Sequence, residues 1–332
     1  MTDLALHPFT ALTPELMLDA VEALGVRADG RLLAMNSYEN RVWQFGIEDA
    51  PPLIGKFYRP ERWSDAQILE EHSFVVEMAV AELPVVAPLS LNGQTLHHHA
   101  GFRFALYPCR GGRAPELDDP AVLEWMGRLL ARLHNVGAVR SFVERPALDA
   151  DTFGYDACEW LFEHAGIPED VIDTWASVAA QALEEIDLCY ERAGDVASLR
   201  LHGDCHSGNV LWSAESAGGP HFVDFDDARS GPAVQDLWML LSGEADEMRG
   251  QLHHVLAGYE LFRTFDRREL HLVEALRTLR LLHHSAWLAR RWDDPAFPAA
   301  FPWFAGPRYW EDRILELREQ IARMQESALV ST

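Results

Sequence analysis

The chain has 332 residues, with 48% apolar and 10% aromatic side chains, enough to bury the core of one large two-lobed domain or two modest ones. Its 52 acidic and 28 basic residues give a formal charge of −24, which repels nucleic acid backbones and anionic membrane faces and argues against both as partners. No apolar run approaches the roughly 20 residues that cross a bilayer, and Met1-Thr2-Asp3 opens without the basic start of a signal peptide. A cytoplasmic, monomeric protein is expected. The four cysteines at 109, 158, 189 and 205 include no Cys-x-x-Cys pair, so free thiols are expected rather than disulfides or a zinc site.

Thr13-Pro14 caps a helix over 13–24, with Leu16, Ala20, Val21 and Leu24 at helical spacing and Gly25 as its stop. Short β-rich runs follow at 32–35, 42–45 and 53–58. Between the first two lies the polar turn Asn36-Ser37-Tyr38-Glu39-Asn40, where the Ser37 hydroxyl and N–H are candidates to touch a phosphate. The third run carries Lys56. It is the only lysine among the 28 basic Lys and Arg residues, so a compact ammonium is expected to serve there where a planar guanidinium fails.

Ser64-Asp65-Ala66-Gln67 is a capping box that opens a helix to about residue 81. Ile68, Glu71, Val75 and Met78 share one face of it. A glutamate in that apolar stripe needs a buried cation, and Lys56 is the expected partner; Glu70, one step round the helix, is the alternative. Strands are expected at 89–91 and 101–107 around Asn92-Gly93. His97-His98-His99 reads as a polar hairpin edge, because adjacent strand residues point to opposite faces and chelate poorly. Pro108-Cys109-Arg110-Gly111-Gly112 marks a linker, with the backbone around 107–109 available to an adenine edge. The expected division is a nucleotide-binding lobe over 1–107 and a catalytic and substrate lobe over 108–332.

Beyond the linker the periodicity is helical: 120–135 with Gly137 as cap, about 156–165, 168–192, 232–241 carrying Asp236, 246–264 and 267–292. The end, with Trp287, Trp292, Trp303 and Trp310, is rich in aromatics. Set among these helices is the stretch Leu201-His202-Gly203-Asp204-Cys205-His206-Ser207-Gly208-Asn209. Val210-Leu211-Trp212 and Phe222-Val223 then read as two strands of a hairpin joined by a polar turn over 213–220. Antiparallel pairing brings the hairpin ends together, so Asn209 and Asp224 can share a hard cation. Asp204 is left to face a substrate hydroxyl. Cys205 reads as a small residue filling a tight loop. Two oxygen ligands for Mg2+ and a carboxylate that orients the nucleophile are what phosphoryl transfer needs.

His202-Gly203-Asp204 with Asn209, then Val223-Asp224-Phe225-Asp226-Asp227-Ala228, resembles the catalytic and metal segments of the aminoglycoside phosphotransferase and choline kinase group. Gly127-Arg128-Leu129-Leu130-Ala131-Arg132-Leu133-His134 is similar to the helix that precedes them there. Residues 36–42, 56–63, 67–72 and 231–240 resemble the bacterial stress response kinase A family. The resemblance implies an α+β, protein-kinase-like two-lobed fold with a small β-rich N-lobe and a larger helical C-lobe. It also implies a serine/threonine protein kinase that uses ATP and Mg2+ on a protein substrate, the chain itself among the candidates. Carried over, Asp204 and Asp224 are catalytic, Asn209 and Asp224 hold Mg2+, Ser37, Lys56 and Glu71 belong to the ATP site, and Asp236 holds the catalytic loop through its backbone.

Two departures from eukaryotic protein kinases matter. Glycine stands where His-Arg-Asp has arginine, and only eleven residues separate Asp224 from Asp236, too few for a long regulatory activation segment. Three other readings compete: a kinase of a small alcohol such as an aminoglycoside or choline, which the acidic charge would suit; a pseudokinase; and a hydrolase on Asp204 and His206. The intact Asp204, Asn209 and Asp224 argue against the second, and the lack of a nucleophile with an orienting triad argues against the third.

Overall fold

The computed structural model describes residues 8–213, 219–306 and 308–329. The chain divides into two compact units. One comprises Met1–Pro115 with Gly208–Asp226, the other Glu116–Ser207 with Asp227–Thr332.

The first unit is built on a five-stranded antiparallel sheet of β1 (Ala28–Ala34), β2 (Arg41–Ile47), β3 (Ala50–Phe57), β4 (His97–His99) and β5 (Phe102–Pro108), in the order β1-β2-β3-β5-β4. β3 lies at its centre and pairs Lys56 with Val42 on one side and Ala105 on the other. Helix Pro14–Glu22, capped by the Thr13 side chain, buries Met17, Ala20 and Val21 in a core with Phe45, Phe57, Phe104 and Leu106. Helix Asp65–Val80 starts at the expected capping box, with both reciprocal hydrogen bonds formed, and buries Ile68, Glu71, Val75 and Met78.

The strand expected at 89–91 is not one. Leu89 makes a single backbone bond to Leu106, and Asn92-Gly93, at φ +53° and +77°, closes only the bridge between Leu91 and Gln94. The hairpin partner of β5, on the side away from β3, is the histidine run. A tight turn at Ala100-Gly101, φ +47° and +85°, makes β4 the sheet edge, with His97 buried and His98 exposed. The histidine run is thus the hairpin edge that the sequence suggests; only the turn itself went unsignalled, because alanine is a poor turn residue.

Strands Val210–Ser213 and Gly219–Phe222 form the expected antiparallel hairpin; its connection at 214–218 lies outside the described residues. Phe222 exchanges backbone hydrogen bonds with Pro84 and Val86, and Trp212 with Arg113. Backbone pairing therefore fastens the hairpin to the sheet-bearing unit although it lies late in the sequence.

The second unit is helical. Helix Pro120–Gly137 crosses Ala245–Tyr259 so closely that a Cβ on Gly127 would lie 2.0 Å from the Val255 carbonyl oxygen, and one on Gly258 would lie 1.9 Å from that of Glu124. Gly137 serves the same purpose: it closes its helix in sequence, but its missing side chain leaves room for the Arg200 carbonyl. Helices Asp156–His164, Ile172–Ala193 and Val273–Arg290 follow, and the helix expected at 232–241 shortens to Val234–Trp238. A further helix, Tyr309–Gln325, buries Trp310, Ile314, Leu317 and Met324, and Trp310 packs edge-on against Trp175. A two-stranded ribbon of Leu199–Leu201 and Arg229–Gly231 flanks the loop bearing Asp204.

Candidate active site

Lys56 is 7% exposed, and its Nζ lies 2.9 Å from Asp224 Oδ1 and 3.0 Å from Asp226 Oδ1. Burial alone would drive its proton off, but Asp224, Asp226 and Glu71 together outweigh burial and raise the ammonium well above its ordinary range. Glu71 is buried and Glu70 only half-buried, so the charge from helix Asp65–Val80 that acts on Lys56 is that of Glu71. The ion pairs themselves run to Asp224 and Asp226. Asp226 also accepts from Arg62 and, at 3.2 Å, from Asn40 Nδ2. A lysine held among carboxylates stays a fixed cation aimed at the mouth of the hairpin.

At that mouth the Val223 N–H donates to the Asn209 carbonyl at 3.0 Å, so the hairpin ends are paired as the sequence predicts. Asp224 sits at φ +60°, a conformation costly for a side-chain-bearing residue and typical of positions fixed for function. Its side chain is 55% exposed, while Asp226 beside it is buried. Asn209 and Asp224 offer hard oxygen donors, which fit Mg2+, an ion that takes one or two protein ligands and completes its shell with phosphate and water. The Ser37 hydroxyl accepts the Val42 N–H at 3.1 Å and pins the turn, with its own hydrogen left to donate.

In the helical unit Asp204 lies on the loop after Leu199–Leu201. Arg280 Nη1 is 2.6 Å from its Oδ1 and His206 Nε2 is 3.5 Å from its Oδ2. Burial and Asp227 push the Asp204 carboxyl up; the His206 hydrogen bond and the Arg280 charge prevail and hold it below the usual range. The loop is fastened from behind. Asp236, fully buried, accepts the His202 and Gly203 N–H groups, each at 2.9 Å, and meets His134 Nε2 at 3.1 Å. His134 in turn meets Tyr259 at 2.8 Å, which ties the loop to two long helices. Gly203 has φ +84°, and a Cβ there would lie 2.2 Å from the Asp227 carbonyl oxygen, so the arginine of His-Arg-Asp has no room. Cys205 is fully buried and its thiol is driven well up by burial, as suits a loop filler.

Ser37, Lys56, Glu71, Asn209 and Asp224 therefore belong to the sheet-bearing unit and Asp204 to the helical one. Sequence reasoning assigned no role to Asp226, Arg62, Asn40 or Arg280. The first three stood inside motifs already singled out, and the surplus of charge in Asp224-Phe225-Asp226-Asp227 was their signal. Arg280 had none, being separated from Asp204 by 76 positions.

A model of the phosphotransferase enzyme family matches residues 31–273. Stress response kinase A of Salmonella choleraesuis is 45% identical over 324 residues, covering 98% of this chain and 97% of that one. A serine/threonine protein kinase, RdoA, of Salmonella typhimurium is 44% identical with the same coverage. Among solved structures, an amicoumacin kinase in complex with AMP-PNP, Ca2+ and its ligand superposes with a TM-score of 0.72 at 18% identity, over 96% of each chain. The fold is thus the protein-kinase-like two-lobed fold. From the family match and the near full-length likeness to named kinases, the chain belongs to the phosphotransferase enzyme family and is an ATP-dependent kinase.

Proposed function

We propose that the chain transfers the γ-phosphoryl group of ATP, with Mg2+, to a serine or threonine hydroxyl of a protein in a bacterial stress response, the chain itself being one acceptor to test. The observation that carries phosphoryl transfer is the single lysine, buried and aimed by Asp224 and Asp226. The protein acceptor rests on the names of relatives 44% to 45% identical.

In this reading residues 1–107 bind nucleotide and 108–332 supply the catalytic and substrate groups. Phosphoryl transfer passes through a loose transition state, so catalysis is mostly positioning and charge neutralisation. Lys56 counters charge on the phosphate oxygens, and Asp226 and the charge of Glu71 help to hold it in place. Asn209 and Asp224 would hold Mg2+, which when bound supplies charge neutralisation at the phosphate oxygens. Ser37 donates to a phosphate oxygen from the turn between β1 and β2. Asp204 orients the acceptor hydroxyl and takes its proton, a contribution of about 10²–10⁴-fold.

The alternative is a small-alcohol acceptor. Arg280 beside Asp204 speaks against a polycationic one, because a fixed guanidinium stands where an aminoglycoside would bring its ammonium groups. The test is label transfer from ATP with Mg2+, offering the chain itself, casein, and a panel of small alcohols including choline and an aminoglycoside. Labelled protein without small-molecule turnover is expected. Turnover of an alcohol alone overturns the protein acceptor, and no transfer to any acceptor overturns the kinase reading.

A further inference from the structure

Asp204 meets two basic side chains: Oδ1 receives a short, charge-assisted bond from Arg280 at 2.6 Å, and Oδ2 faces His206 at 3.5 Å. Arg280 belongs to helix Val273–Arg290, which shares none of the catalytic segment's sequence. Its side chain is 42% exposed while that of Asp204 is 22% exposed. His283, His284 and Trp287 follow at the next positions on that helical face. His284 is pushed down to about 4 by burial, Arg280 and Arg313, so it is neutral near pH 7. Asp227 is the opposing negative neighbour. Arg280 is therefore the permanent cation on Asp204, while His206 is a cation only when protonated.

We infer that Arg280 is the positioning residue of the proton acceptor: its ion pair to Oδ1 holds the Asp204 carboxylate in the orientation from which it takes the proton of the acceptor hydroxyl. The bond made is O–H on the Asp204 carboxylate, and the hydroxyl's electron pair goes to phosphorus as the bond to ADP breaks. This assignment rests on Asp204 acting as proton acceptor. A guanidinium suits the task because it does not lose its proton and its planar fork holds one carboxylate oxygen in a set direction.

The test compares Arg280→Met and Arg280→Lys in the full chain, read in two ways. The first is the titration of the Asp204 carboxyl by ¹³C NMR with carboxyl-labelled aspartate, assigned by the signal lost in Asp204→Asn. The second is the pH profile of kcat with label transfer to protein. In Arg280→Met the Asp204 midpoint is expected to rise, with the acid limb of the profile moving the same way. kcat should fall at least about ten-fold with the KM for ATP unchanged, and Arg280→Lys should restore the low midpoint and part of the rate. A midpoint that stays put in a folded Arg280→Met variant overturns the inference. The NMR midpoint decides this without any acceptor, so failure of the kinase reading in the transfer assay is a separate result.

Discussion

At Asp204 the environment decides between a structural and a chemical role. An aspartate half-screened from water would ordinarily hold its proton more tightly, yet His206 and Arg280 keep Asp204 ionised, the state a proton acceptor needs. Replacing it with alanine is expected to lower turnover by at least about 10²-fold, while binding of a non-hydrolysable ATP analogue stays within a few-fold. Calorimetry beside kinetics checks this, and loss of nucleotide binding in a folded variant would remove Asp204 from the proposed role. Lys56 follows the same logic in reverse. A buried ion pair stabilises little by itself, so the concentration of Asp224, Asp226 and Glu71 around one ammonium makes better sense as preparation for phosphate.

Among the elements, the close crossing of Pro120–Gly137 and Ala245–Tyr259 bears the Asp204 loop through His134, Tyr259 and Asp236. Gly258 permits that crossing, since a methyl there would lie 1.9 Å from the Glu124 carbonyl oxygen, and rigid backbone leaves it no way to yield. Gly258→Ala should therefore destabilise by at least about 2 kcal/mol, the middle of the range for overpacking, even though alanine favours helix. Denaturant unfolding of the variant measures it; a stability equal to wild type would show that the helices can separate freely. Neither Gly127 nor Gly258 could be told from an ordinary weak helix position in the sequence, because the reason for each is a backbone far away along the chain.

For the molecule as a whole, one buried carboxylate couples stability to pH. Glu269 is 3% exposed and accepts the Val234 N–H at 2.8 Å, and burial raises it from an ordinary 4.5 to about 7. The folded state then binds the extra proton between those values. Its contribution is full below the unfolded midpoint and is lost as pH rises through about 7, a span of about 3 kcal/mol. Glu269→Gln keeps an acceptor for Val234 and removes the titration. Relative to wild type the variant should gain up to that amount between pH 5 and pH 8 in chemical unfolding. Parallel curves for the two proteins would show that Glu269 ionises without cost in the folded state.

The sequence by itself singled out the segments proposed to carry the chemistry, because their spacing is local. A short hairpin brings the ends at Asn209 and Asp224 together, a capping box starts a helix at Asp65, and a lone lysine stands on a strand read from its β-rich run. It also showed that the chain has a β-rich part and a helical part, since the hydrophobic period turns mainly from two to 3.6 after the linker, but not that residues 208–226 join the former. Only the tertiary structure decided the partners. Backbone bonds from Phe222 to Pro84 and Val86 put the hairpin with the sheet, and Lys56 found Asp226 as well as Asp224. Ala100-Gly101 turned the histidine run into the edge strand. Arg280 reached Asp204 from a helix that no local pattern links to it. Such pairings join residues tens to more than a hundred positions apart, and a local pattern carries no term for them: only burial of the shared core fixes which distant backbones and charges meet.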